Sequence, residues 1–129
     1  MLFRSRGVAH SAIDISDGLL ADLGHICERS DVAAVIEMER IPCSTTMRRH
    51  LARPAARTAL LAGGDDYELC FTAPRRRRER IAQLARRLRL ALTRIGRVVP
   101  MRRRGAHVTV LDRDGRALIQ GKRGFDHFA

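Results

Sequence analysis

Tryptophan is absent, tyrosine occurs once, and aromatic residues make up only 4% of the 129 residues. A core built from this chain must therefore rest on Leu, Ile, Val and Ala. Recognition of nucleic acid by stacking is also poorly served, because no aromatics are interleaved with the basic runs. There are three cysteines, Cys27, Cys43 and Cys70, with no Cys-x-x-Cys spacing. An odd number so placed argues against a disulfide framework and a zinc site, and it fits a reducing cytoplasm. No apolar run approaches the ~20 residues of a membrane span. The first residues, Met1-Leu2-Phe3-Arg4-Ser5-Arg6, are too polar and too few for a signal peptide. There is no Gly-x-x-x-x-Gly-Lys phosphate loop, no evident Ser-His-Asp set, no internal repeat and no low-complexity linker.

What is present is charge of one sign. Lys and Arg number 25 against 14 Asp and Glu, a net charge of +11, and nearly all of the excess is Arg. A balance of this kind speaks to partners and solubility, and not to fold. Nucleic acid, acidic lipid and nucleotides are the polyanions to consider, beside the plainer reading that Arg is simply the surface cation here. Hydrophobic residues at 45% are ample for a single folded domain of this length.

Taken in order, residues 8–15 read as a short extended segment. From Gly18, the apolar positions Leu19, Leu20, Leu23, Ile26 and Cys27 have helical spacing, closed by Glu28, Arg29 and Ser30. Residues 32–38 are β-branched and apolar, a strand ended by Ile41-Pro42. Ser44 or Thr45 caps a helix over 46–51, and Pro54 opens another that stops at Gly63-Gly64. Residues 67–72 alternate as a strand, with Leu69 and Phe71 on one face and Glu68 and Cys70 on the other. A basic amphipathic helix is expected over 75–90, with Ile81, Leu84, Ala85 and Leu88 inside. Its first turn carries Arg75-Arg76-Arg77-Arg78, the wrong end for the macrodipole. Residues 93–99 form a further strand. Residues 107–111 and 117–119 pair as a hairpin around Asp112-Arg113-Asp114-Gly115. The mixture makes the class α+β, a mixed sheet with helices packed on one side.

Two acidic clusters stand out. Ile13-Asp14-Ile15-Ser16-Asp17-Gly18-Leu19-Leu20 places two carboxylates and a hydroxyl at a helix entry. Such residues are ordinary caps. They also suit a divalent cation, since Mg²⁺ takes one or two carboxylates together with substrate phosphates. Gly63-Gly64-Asp65-Asp66-Tyr67-Glu68-Leu69 is the second cluster. Gly-Gly-Asp-Asp serves equally well as a plain helix-to-strand turn, so Asp65 and Asp66 stay open between the two readings. Glu68 is harder to set aside, because charge is depleted inside strands.

Together with Gly124-Phe125-Asp126-His127-Phe128, these motifs resemble the thiamine-monophosphate kinase family in identity, order and spacing. The resemblance runs nearly end to end, and it is to the family's C-terminal domain, of the aminoimidazole-ribonucleotide-synthetase-like fold. It implies a single domain over 1–129. It also implies transfer of the γ-phosphoryl of ATP to thiamine monophosphate, giving thiamine diphosphate, with Mg²⁺ bridging the phosphates. By resemblance, Asp14 and Asp17 are metal ligands, Ser16 meets the nucleotide phosphate, Glu68 meets the thiamine substrate, and Phe125 packs on its rings. Asp126 and His127 match the tail motif without an assigned role, and no residue is assigned as catalytic. Phosphoryl transfer asks the protein for alignment and charge neutralisation more than covalent help. A cation–π contact of a thiazolium at Phe125 adds about 0.5–2 kcal/mol.

The family's N-terminal domain contributes much of the ATP site and the homodimer interface, and no counterpart of it is found in this sequence. The chain is therefore expected to phosphorylate nothing alone. Neither a nucleic-acid nor a membrane partner is expected from these residues. The alternatives are a basic nucleic-acid-binding module, with residues 75–78 and 102–104 on phosphates, and another enzyme of the same superfamily. The Phe125 motif argues against the latter.

Overall fold

The computed structural model describes residues 9–62, 68–101 and 107–121. Strand β1 (Ser11–Ile15) leads through a turn at Ser16, Asp17 and Gly18 into helix α1 (Leu19–Ser30). The helical spacing holds, because Leu19, Leu20, Leu23, Ile26 and Cys27 are all buried. Gly18 has φ 120°, and a Cβ there would lie 2.8 Å from the backbone of Ala62. That position must be glycine on two counts, conformation and space. The helix ends at Asp31 in the left-handed region, φ 54°, its N–H donating to the carbonyls of Cys27 and Glu28.

Strand β2 (Val32–Glu37) is one residue shorter than its apolar run suggests. Met38 instead opens a 3₁₀ turn through Arg40 and turns into the core. Ser44 is the cap of α2 (Thr45–Arg49), its Oγ accepting from the Met47 N–H at 3.1 Å. Helix α3 (Pro54–Ala62) starts at its proline, as expected. Two arginines fasten this region. Arg48 donates to the carbonyls of Glu39 and Ile41 at 2.9 and 2.7 Å, and Arg57 to those of Leu51 and Ala52 at 2.7 and 3.1 Å. Part of the basic excess is therefore structural.

Strand β3 (Glu68–Thr72) pairs antiparallel with β1 as a two-stranded ribbon, Ile15 opposite Glu68 and Asp14 opposite Leu69. The main sheet is separate and mixed, and joins β2 to β4 (Gly96–Pro100), β5 (Val108–Leu111) and β6 (Ala117–Gly121). Its strand order is β4-β2-β5-β6. β2 and β5 run parallel, and the other neighbours antiparallel. The β5–β6 hairpin turns at Gly115, φ 80°, with Asp112 Oδ1 accepting from the Asp114 and Arg116 N–H groups, both at 2.9 Å.

Further differences from the sequence expectation concern the basic helix, β4 and the ribbon. Arg75–Arg77 form a 3₁₀ turn, and α4 covers Arg78–Leu88 only. Of its expected inner residues, Leu84 alone is buried. β4 begins at Gly96, opposite Ile36, where a Cβ would overlap the Val35 carbonyl oxygen, and the Glu37 N–H still donates to the Ile95 carbonyl just before it, at 2.9 Å. The ribbon's covered face is the one bearing Cys70, which packs on the core, while Leu69 is 52% exposed.

The core lies between α1 and the main sheet. It joins Ile15, Leu19, Leu20, Leu23 and Cys27 to Ala34, Ile36, Val108 and Val110, with Met38, Ile41, Leu51 and Leu61 closing it. Aliphatic side chains supply nearly all of it, as the shortage of aromatics requires.

Candidate functional site

The site is the end of the ribbon where β1 runs out and β3 begins. Asp14 is exposed on β1, and Ser16 and Asp17 are exposed in the turn that follows. The register sets Glu68, also exposed, directly across from Ile15. Alternation sends Asp14 and Glu68 to opposite faces of the ribbon, one residue apart in register. The structure thus brings Asp14, Ser16, Asp17 and Glu68 to one end of the fold. Phe125, Asp126, His127 and residues 63–67, with Asp65 and Asp66, lie outside the described residues.

One further residue shapes this end. Asp22 lies in the first turn of α1 and is 3% exposed, the only buried charged side chain among the described residues. Its Oδ2 accepts from the N–H of Ser16 at 2.7 Å and of Asp17 at 3.0 Å. Gly18 has no side chain to cap the helix, and Asp22 instead holds the two amides that precede it. A carboxylate at this end is also favoured by the helix dipole. The sequence did carry a signal: position 22 falls on the apolar face set by Leu19, Leu23 and Ile26. An acid on a buried face must have donors waiting for it. Ligand atoms of Asp17, Asp22 and His25 lie within 4.8 Å of one another.

Beneath the turn are two thiols. Burial pushes Cys27 up from 9.0 to about 11, with Cys70 adding to it. Burial likewise pushes Cys70 up to about 11, and the Asp22 carboxylate adds to that. Both are protonated at neutral pH, so they act as small packing residues and not as nucleophiles.

The electrostatics are lopsided. The ion pairs among the described residues are Arg40–Glu37, Arg48–Glu39 and Arg113–Glu39. None involves Asp14, Asp17, Asp22 or Glu68, in a chain with a net charge of +11. Acids left without arginine partners in so basic a protein suit a cation from solution. Asp14 and Asp17 offer free, exposed, hard oxygen donors, which is what Mg²⁺ takes. Asp22 is committed to two amides, and His25 offers nitrogen, which Mg²⁺ does not favour. Asp14 and Asp17 thus carry the donor type that Mg²⁺ takes, whereas the close cluster of ligand atoms among the described residues is Asp17, Asp22 and His25, without Asp14.

The fold and this turn define a domain class. Residues 1–109 match the family model of the AIR synthase related protein, C-terminal domain, and the chain belongs to that family. Within it, the chain is 40% identical over 123 residues to the thiamine-monophosphate kinase of Haemophilus influenzae, covering 95% of this chain and 37% of that protein. The crystal structure of thiamine-monophosphate kinase from Stenotrophomonas maltophilia K279a superposes with a TM-score of 0.72 at 50% identity, covering 88% of this chain and 34% of that one. The complex of AaThiL with AMPPCP and TMP superposes with a TM-score of 0.61 at 32% identity, covering 93% and 35%. The chain thus spans little more than a third of the length of these relatives. Among the described residues, no helix is long and apolar enough to cross a membrane.

Proposed function

We propose that this chain supplies the C-terminal part of an ATP-dependent kinase that phosphorylates thiamine monophosphate to thiamine diphosphate. The observation that supports this reading is that Asp14, Ser16, Asp17 and Glu68 lie within a few register positions of one ribbon end, with no arginine ion pair to any of them among the described residues. Relatives named for this activity, and a related structure holding an ATP analogue and TMP, support it.

Asp14 and Asp17 would hold Mg²⁺, which when bound neutralises phosphate charge and brings two anionic substrates together. Ser16, exposed in the turn, donates its hydroxyl to a nucleotide phosphate oxygen. The backbone N–H groups of Ser16 and Asp17 are occupied by Asp22, so this helix start cannot cradle a phosphate through those amides. Bare acids at the turn repel a free phosphate, which makes metal-loaded nucleotide the form admitted. Glu68 offers its carboxylate to the cationic thiazolium, and Phe125 a ring face to the same group.

Formation of thiamine diphosphate from ATP, Mg²⁺ and thiamine monophosphate tests the reading. The chain alone yields no product. Joined to the portion of the Haemophilus influenzae relative that it does not match, it turns over, and Asp17→Asn lowers the rate about 100-fold or more. A folded, joined protein without product would count against this function.

A further inference from the structure

We propose that Asp22 is the positioning residue of the site: its carboxylate clamps the backbone of Ser16 and Asp17, so that their side chains stand outward toward a metal-bound phosphate. The proposal rests on the phosphotransfer reading above and adds a residue that the motif-derived set Asp14, Ser16, Asp17 and Glu68 does not contain.

The geometry separates holding from ligating. Asp22 is 3% exposed, whereas Asp14, Ser16 and Asp17 are exposed. A single oxygen, Oδ2, takes two successive amides, at 2.7 and 3.0 Å. Bonds from N–H groups to a carboxylate are about twice as strong as neutral ones. Two of them on consecutive residues fix the peptide plane between them. The side chains of Ser16 and Asp17 leave the same short stretch of backbone, so their directions are set with it.

The turn has few other restraints. Gly18 contributes no side-chain cap, and its φ of 120° lies outside the usual range of other residues. On one side the turn is anchored by the β1–β3 ladder, which ends at Ile15. On the other it is anchored by the first helical bond, from the Asp22 N–H to the Gly18 carbonyl at 3.0 Å. Between those anchors, Asp22 supplies the bonds recorded for the two amides. A site needs its groups held within a fraction of an ångström, and here one buried side chain does so for two of them.

Charge and shape can be told apart by substitution. Asp22→Asn keeps an oxygen able to accept both amides but loses the negative charge. Asp22→Ala loses both. A positioning role is largely rescued by Asn, whereas a direct metal ligand is not. The experiment uses the 129-residue chain, labelled with ¹⁵N, and Mn²⁺ as the probe cation. Amide hydrogen exchange at Ser16 and Asp17 is read beside the Mn²⁺ dissociation constant.

In Asp22→Ala, exchange at both amides accelerates and Mn²⁺ binding weakens, each by about 10-fold or more, while Asp22→Asn stays within about threefold of wild type. The proposal is overturned if folded Asp22→Ala keeps both readouts within twofold of wild type. It is equally overturned if Asp22→Asn loses Mn²⁺ as severely as Ala while its amides stay protected, since Asp22 would then be a ligand. Should Asp22→Ala fail to fold, Asp22→Asn decides by the same criterion. A wild-type chain that binds no Mn²⁺ counts against Asp14 and Asp17 as metal ligands in the phosphotransfer reading. The exchange rates in Asp22→Ala still decide the clamp.

Discussion

Helices α1 and α4 are of similar length, 12 and 11 residues, and both are amphipathic, yet they end in opposite conditions. α1 buries six residues and lies against both the main sheet and the ribbon, whereas α4 buries Leu84 alone. The entry of α1 is ringed by Asp14, Asp17 and Asp22, in keeping with its dipole. The entry of α4 follows Arg75, Arg76 and Arg77, against its dipole. The difference separates two uses of charge. At α1, one buried acid, Asp22, bonds the turn, and the exposed Asp14 and Asp17 are left without basic partners among the described residues, as a binding site requires. At α4, the arginines lie on a weakly attached surface element that the described core does not depend on.

The sharpest way to break this contrast is at the α1 entry. Gly18→Ala puts a methyl 2.8 Å from the Ala62 backbone at an unfavourable φ, so neither neighbour can yield cheaply. A loss of about 3 kcal/mol in denaturant unfolding is expected. A loss under about 1 kcal/mol would mean that the turn is not tied to α3 as described.

Paired truncations sharpen it further. Leu20 is 2% exposed and Leu88 is 39% exposed. Leu20→Ala is expected to cost about 3 kcal/mol and Leu88→Ala less than about 1 kcal/mol, by the same measurement. Equal losses would erase the distinction between the helices.

Alkaline titration gives the smallest effect. Cys27 and Cys70 bind their protons more tightly when folded, to about 11 against 9.0. Between those values the folded state carries more protons, so stability falls as pH rises. It is fully present below pH 9 and is lost toward pH 11, on the order of 1 kcal/mol per thiol by about pH 10. Cys27→Ala with Cys70→Ala should flatten that slope.

The same pair of helices shows what a sequence can tell. The 3.6-residue period identifies an apolar face, and for α1 this sufficed because the whole face is covered. For α4 the identical pattern overstated burial, since periodicity says nothing about how much surface arrives to cover a face. Alternation in β3 likewise defined two faces without saying which one meets the core. Cys70, and not Leu69, is the residue turned inward. The separate ribbon was not foreseen, because residues 11–15 and 68–72 are far apart in the chain, with helices and a strand of the other sheet between them. Asp14, Ser16, Asp17, Glu68 and Phe125 were legible as motifs; the register puts the first four near one ribbon end, with Asp14 and Glu68 on opposite faces, and Phe125 lies outside the described residues. Asp22 was visible as an acid on an apolar face, but its meaning needed the positions of the two amides.

The most direct measurement is ATP binding to the chain joined to the portion of the Haemophilus influenzae relative that it does not match, with Mg²⁺ and with EDTA, in wild type and in the Asp14→Asn, Asp17→Asn double variant. The account predicts binding that requires Mg²⁺ and weakens about 10-fold or more in the variant. ATP bound equally well in EDTA and unaffected by the two substitutions would assign the anion to the arginine surface of α4 and contradict the account.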